Sequence, residues 1–388
     1  MLYSNANGQA KMFGIYTIFC DDRLSMKSFI MFLIPLIIIS FVSFGEETDK
    51  LKHTIFLGNN APIDSNDGLS TLFIYYNYKS EPESDRPFFE FTLQTSEILV
   101  DFKTSTETVW NFGYGAMGEV VSEGFGMDIY VAGERKKEIT FYGDSLGAYV
   151  AVGYEINKNW LLNWRFLIEQ ARFYDNEFTG EKFQLPSDFS TRLNTLNLST
   201  KNAFAMDDSI FEARLESGLR YDWDDWQLED DYKSVKSYYK EKFSLTLSRS
   251  WDRIGKSKLK LSAAIGQNLD LFSGYRLGGL PGEYSVSGFF RNEFRAREVY
   301  ITNLSHMFEF TEHKKLLLFY DYAFFKRLDM DYLESTPDSD SIQGLALGFY
   351  FGIESLAGLP IIARIGQGIG VPDQELRREL MIGVAAKF

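Results

Sequence analysis

The sequence predicts an all-β protein, a transmembrane antiparallel β-barrel of about sixteen strands, and three observations carry that prediction. From residue 69 to residue 388 the chain divides into short stretches in which apolar and polar residues alternate. The apolar face of these stretches is rich in large aromatics, in a chain with 35 Phe and 22 Tyr. Short polar connections such as Asn157-Lys158-Asn159 alternate with long acidic ones such as Asp222–Ser237 and Glu334–Asp340. Alternation at 180° per residue marks a sheet with two unlike faces, which a soluble β-sandwich would also give. Aromatics in strand after strand suit lipid better than a crowded core, and connections of unequal length suit the two sides of a membrane.

The chain opens with residues 1–25, an extension with no pattern of its own. Met26, Lys27 and Ser28 then precede an uncharged apolar run, Phe29–Val42, and Ser43-Phe44-Gly45 supplies small residues at both cleavage-determining positions. A basic start, a short apolar run and small residues together make a secretory signal, so cleavage is expected after Gly45. The run is short for a membrane-spanning helix. The single cysteine, Cys20, lies before it, and Tyr16–Phe19 lack the small residue of a lipid-attachment site. The expected organisation is therefore 1–45 extension and signal, 46–68 a short periplasmic segment, and 69–388 the barrel.

Within the barrel, Ala148, Val150, Val152, Tyr154 and Ile156 share one face, with Tyr149, Ala151, Gly153 and Glu155 on the other. After the Asn157–Asn159 turn, Leu162, Trp164, Phe166 and Ile168 alternate with Asn163, Arg165, Leu167 and Glu169. Phe243, Leu245 and Leu247 alternate with serine and threonine. Leu316, Leu318, Tyr320, Tyr322 and Phe324 alternate with Leu317, Phe319, Asp321 and Ala323. The glycine-rich stretch Gly113–Gly126 is read as lying between strands; it opens no helix, so it is not a phosphate-binding loop. A closed sheet also removes the edges so many strands would otherwise expose.

Composition narrows the functions. A net charge of −14 argues against nucleic acid, which needs clustered Lys and Arg. Beyond residue 45 there is no cysteine, so neither a disulfide nor a thiolate metal site is expected there. The acidic stretch Tyr221–Tyr232 fits no calcium-loop spacing and reads as a solvated external loop. Of His53, His306 and His313, none is arranged with a nucleophile and an orienting acid, and His306 is expected to point outward. No catalytic residue, metal or cofactor is expected.

The last strand places Leu380, Ile382, Val384, Ala386 and Phe388 on one face. This ending resembles the C-terminal assembly signal of Gram-negative outer-membrane barrels. Tyr275–Phe294, YRLGGLPGEYSVSGFFRNEF, is similar to the inward-folded loop of BamA/TamA-type barrels, in which Leu-Gly-Gly precedes a V-R-G-F/Y motif. Here the motif reads Val286-Ser287-Gly288-Phe289, with serine in place of the family's arginine. That arginine reaches acidic residues of the inner wall. MFEFTEH and LFYDYAF resemble the segments that supply them, which implies Glu309 and Asp321 as the partners. Arg291 or Arg276 would supply the missing charge. Gly344–Ile369 resembles the family's penultimate hairpin, with Gly358-Leu359-Pro360 at the turn.

By this resemblance the loop follows the eleventh strand and leaves five. The chain resembles barrel-only members of the superfamily, because 46–68 has no room for a POTRA domain. The resemblance implies insertion or translocation of polypeptide or lipid at a weak seam between a first strand near Leu69–Lys79 and a last one near Leu380–Phe388. The partners it implies are outer-membrane lipid, the assembly machinery for the chain's own insertion, and a client polypeptide or lipid; a homo-oligomer is left open. The alternative is a passive pore or structural barrel with Arg165, Glu169 and Glu155 lining a polar channel.

Overall fold

The computed structural model describes residues 51–62, 71–80, 88–94, 97–104, 109–121, 130–131, 134–135, 141–175, 179–180, 185–201, 208–221, 235–251, 254–270, 272–279, 284–289, 293–311, 314–328, 339–353, 359–369 and 377–387. All regular structure among them is strand.

In chain order the strands are β1 (Leu51–Pro62), β2 (Thr71–Ser80), β3 (Phe88–Gln94), β4 (Glu97–Thr104) and β5 (Trp110–Val121). A small hairpin, β6 (Tyr130–Val131) and β7 (Glu134–Arg135), stands apart from the main sheet. Then come β8 (Tyr142–Asn157), β9 (Trp160–Tyr174), β10 (Phe189–Lys201), β11 (Asp208–Tyr221), β12 (Ser237–Trp251) and β13 (Gly255–Gln267). Two short strands follow, β14 (Tyr275–Gly278) and β15 (Tyr284–Ser285). The last five are β16 (Phe294–Thr311), β17 (Lys314–Arg327), β18 (Ser339–Ile353), β19 (Leu359–Ile369) and β20 (Arg377–Lys387).

Apart from β6, β7, β14 and β15, each strand pairs antiparallel with the next. β20 pairs antiparallel with β1, from Thr54 opposite Lys387 to Pro62 opposite Glu379. Sixteen strands therefore close a ring, eleven before the β14–β15 segment and five after it. A closed ring satisfies every strand's backbone groups, the condition for crossing lipid with strands.

Two expectations are corrected here. The segment 46–68 is not wholly outside the barrel, because Leu51–Pro62 is its first strand, and the strand expected near Leu69–Lys79 is the second, β2. The first strand was missed because LKHTIFLGNNAP does not alternate, Lys52–Thr54 being consecutively polar and Ile55–Leu57 consecutively apolar. Gly113–Gly126 does not lie between strands either, since β5 runs through to Val121. One of its glycines, Gly115, is required by packing. A Cβ on Gly115 would sit 2.2 Å from the Val100 carbonyl oxygen and 2.7 Å from the Tyr149 ring. The extension and signal region, 1–45, lies outside the described residues.

The faces follow the alternation. Val150, Tyr154, Trp164, Ile168, Leu318, Tyr320, Leu345, Ile365, Ile382 and Val384 stand exposed on the outer wall. Tyr149, Leu167, Asp321, Ala323 and Phe325 face in and are buried. The β8–β9 turn forms as expected. The Asn157 side-chain oxygen accepts from the backbone N–H of Asn159 at 2.9 Å and of Trp160 at 3.2 Å, an Asx turn that reverses the chain in two residues.

The buried apolar cluster lies inside the ring. Tyr275, Leu277, Tyr284, Val286 and Phe289 pack on the inner faces of β13 and β16–β18, against Ala264, Phe294, Val299, Ile301, Ala323, Phe325 and Ile342. The core of this protein is thus its own loop packed against one side of its wall.

Candidate functional site: the loop held inside the barrel

The loop is fastened at two places, its root and its tip. At the root, the buried Asp270 carboxylate pairs with Arg220 of β11, Arg220 Nη2 donating at 3.0 Å. The same carboxylate accepts from the backbone N–H groups of Val235 (3.1 Å), Phe272 (3.2 Å) and Ser273 (2.9 Å), and from the Ser273 hydroxyl (2.7 Å). Burial alone would raise the Asp270 pKa. The Arg220 charge and these hydrogen bonds outweigh it and hold the group below the ordinary carboxylate value. Phe272 lies among Phe141, Phe173 and Phe189, with ring centroids 5.3–6.4 Å apart. The root is therefore tied to the β8–β11 side of the ring.

At the tip, the chain crosses to the opposite side. Val286 N–H donates to the Gly278 carbonyl at 2.7 Å, and Gly288 turns with φ of +88°. A non-glycine residue is strained at that φ. Space is equally tight, because a Cβ there would lie 2.0 Å from the Gly368 nitrogen. The wall yields room in the same way. A Cβ on Gly344 would meet the Ser287 carbonyl oxygen at 2.4 Å, and one on Gly368 would meet the Phe289 ring at 2.6 Å. Glycines of β18 and β19 form a bare-backbone seat for the motif.

Buried charges converge on this seat. Ser287 is 1% exposed; its backbone N–H donates to Asp321 at 2.9 Å, and its hydroxyl also donates to Asp321. Asn303 of β16 donates to the same carboxylate at 2.8 Å and to the Ser285 carbonyl at 3.1 Å. The cation comes from the wall. Arg364 of β19 donates to the Ser287 hydroxyl, lies 3.8 Å from both Asp321 and Glu379, and covers the Phe319 ring at 4.5 Å. Glu379, 2% exposed, belongs to β20, the strand that closes the ring.

The sequence-predicted residues are only partly brought together. Val286, Ser287, Gly288 and Phe289 form the buried tip, and the Ser287 N–H donates to Asp321. Glu309 does not take part. It faces the lumen but pairs with Lys315 at 2.6 Å and is half-exposed. The residue opposite Asp321 is Asn303, six positions earlier on β16, or about 20 Å at the usual strand rise. Arg291 and Phe388 lie outside the described residues, as does the Ala386 side chain. Leu380, Ile382 and Val384 stand outward together. The cation is Arg364, which sequence reasoning missed. Its signal was a lone charged residue on the inner face of a strand, between Ile362 and Gly366.

His306 does point outward, and the fold brings Ser257 opposite it on β13, with Oγ 2.8 Å from Nδ1. Ser257 also accepts from Trp251 Nε1 at 2.9 Å. The N–H groups of the neighbouring strand residues are spent in the ladder.

The fold is that of bacterial outer-membrane β-barrels. Among solved structures, CdiB from Acinetobacter baumannii superposes with a TM-score of 0.61 at 9% identity, over 88% of this chain and 60% of that one. BamA from Haemophilus ducreyi lacking POTRA domains 1–3 gives a TM-score of 0.55 at 11% identity, over 87% and 70%. A loop L8 deletion mutant of OmpT, an outer membrane protein of Vibrio cholerae, gives 0.45 at 10% identity, over 87% and 98%. This chain therefore spans 60% of the CdiB chain's length. No protein-family model matches the sequence, and no curated protein is similar to it by sequence.

Proposed function

We propose that this chain is an outer-membrane barrel of the BamA/TamA type that inserts or translocates polypeptide or lipid at the β1–β20 seam, with the inward loop as its brace. One observation carries the reading: the loop tip is bound through Ser287 to Asp321 and Arg364, and Arg364 in turn faces Glu379 on the closing strand. A loop so placed couples the contents of the lumen to the strand that a client would have to displace.

The test is a reversible staple. Leu57 of β1 lies directly opposite Val384 of β20, so Leu57→Cys with Val384→Cys brings two thiols within bonding reach. The protein is reconstituted in liposomes and scored for accelerating the insertion of a second, unfolded barrel. The reading requires that oxidation stop the acceleration and reduction restore it. Acceleration that ignores the staple sinks the reading.

A second reading, a structural barrel or passive pore, draws on the seam itself. β20 pairs with β1 in unbroken register, and Gly383 leaves space filled by the Phe56 ring, 2.8 Å from where a Cβ would sit. Such packing suits a permanent closure. Steady ion conductance in planar bilayers, unchanged by the staple and without any effect on insertion, is what this reading expects.

A further inference from the structure

The lumen beside the loop, along β9–β13, has an electrostatic character that neither reading requires. The chain carries a net charge of −14, yet the described inner-face residues of β9–β13 include more cations than carboxylates, the latter being Glu169, Asp208, Glu212 and Glu216. One row runs across four strands by register: Asn163, Asn197, Arg214 and Lys242. It sets Arg214 directly opposite Lys242, an arrangement that costs stability, since like charges face each other across a strand pair. Arg214 meets Glu216 at 2.7 Å, but its Nε is buried with no hydrogen-bond partner among the described residues. Arg165 and Lys260 complete the cationic lining of a cavity of about 420 Å³ beside Tyr284 of the loop. Glu212 is the one carboxylate among its lining residues.

From this cavity a ladder of cations descends β13 toward the β12–β13 turn. Lys256, Lys258 and Lys260 share the lumen face, about 7 Å apart from one to the next. Their neighbours on β12 are Ser250, Ser248 and Thr246, and on β16 Met307, Ser305 and Asn303. None of these six register neighbours is a carboxylate. A cleft lined by one sign of charge between low-dielectric walls concentrates ions of the opposite sign by about 10- to 1,000-fold.

We propose that the lumen is an anion site: an oxyanion of the phosphate class is drawn up the Lys256–Lys258–Lys260 ladder and held between Arg214, Lys242, Arg165 and the Asn163 and Asn197 amides. The planar guanidinium forks and amide donors match tetrahedral oxygens rather than a bare halide. The site needs neither a labile seam nor an open channel, so it stands whether the barrel is an insertase or a pore.

The experiment uses thiol chemistry in the full chain with Cys20→Ser, folded in lipid vesicles. Lys260→Cys is labelled with an anionic and with a cationic methanethiosulfonate of similar size. The anionic reagent is expected to react at least tenfold faster. Lys256→Gln with Lys258→Gln should bring that ratio close to one, and millimolar inorganic phosphate should slow the anionic reagent several-fold. Equal rates for the two reagents overturn the proposal. A charge preference that phosphate does not diminish overturns the bound site as well, because it leaves only a diffuse potential. Folding of each variant is read independently from its heat-dependent gel mobility.

Discussion

Arg364 holds two buried carboxylates from the wall rather than from the loop, and that placement is open to a direct test. In Arg364→Ser, Asp321 and Glu379 would remain buried, 5% and 2% exposed, without their shared cation. Removing one partner from a buried charge cluster costs about 3–5 kcal/mol. At about 1.4 kcal/mol per decade, that releases the loop by roughly two to three and a half orders of magnitude. In Ser287→Arg a long side chain enters a filled site whose backbone touches Gly344, an overpacking cost of about 1–3 kcal/mol. Were the two changes independent, their costs would add.

The double variant, Ser287→Arg with Arg364→Ser, instead returns the cation to the loop and opens the space it needs. It is expected to recover to within about 2 kcal/mol of the parent, for a coupling of at least about 2 kcal/mol. Loop release is measured by proteinase K cleavage in membranes, and global stability by the temperature at which the compact gel species is lost. Costs that simply add in the double variant would refute the argument that one positive charge serves the site from either side.

Gly288→Ala combines a strained φ, costing about 1–2 kcal/mol, with a clash against β19 backbone, and should convert small flickering currents into larger steady ones; unchanged currents would show that the tip does not occlude the lumen. Phe289→Ala empties a ring from the luminal core and should lower stability by about 3–5 kcal/mol, read from the same gel transition. At the root, the lowered Asp270 pKa means its stabilising contribution is whole above the unfolded value near 3.9 and is lost as pH falls through the lower folded value. The transition temperature should therefore hold from neutral pH to about pH 5 and fall below about pH 4, and Asp270→Asn should flatten that fall.

The strands were legible wherever apolar and polar residues alternate cleanly, as in β8, β9 and β17, because the membrane outside and the polar lumen inside impose opposite demands on successive residues. β1 was not, since its second half, Asn59-Asn60-Ala61-Pro62, is held by register with β20 rather than by its own pattern. At the site, the motif and Asp321 carried their own spacing. Arg364 and Glu379 did not, because each reaches the loop only after the ring has curved β19 and β20 round to it. Glu309 failed for a related reason: periodicity fixes which face a residue occupies and says nothing about its height along the strand.

The fastening of the loop tip and the β1–β20 seam differ greatly in the length of chain they close. Ser287 and Asp321 are separated by 34 positions, whereas the β1–β20 seam joins residues near opposite ends of the chain, a separation roughly tenfold greater. Each doubling of a closed segment costs about 0.6 kcal/mol of chain entropy, so the seam starts about 2 kcal/mol behind. The loop and the C-terminal strands are thus favoured to assemble first, as a half-shell already filled on its inner side. The N-terminal strands would then join an edge that the packed loop has stiffened.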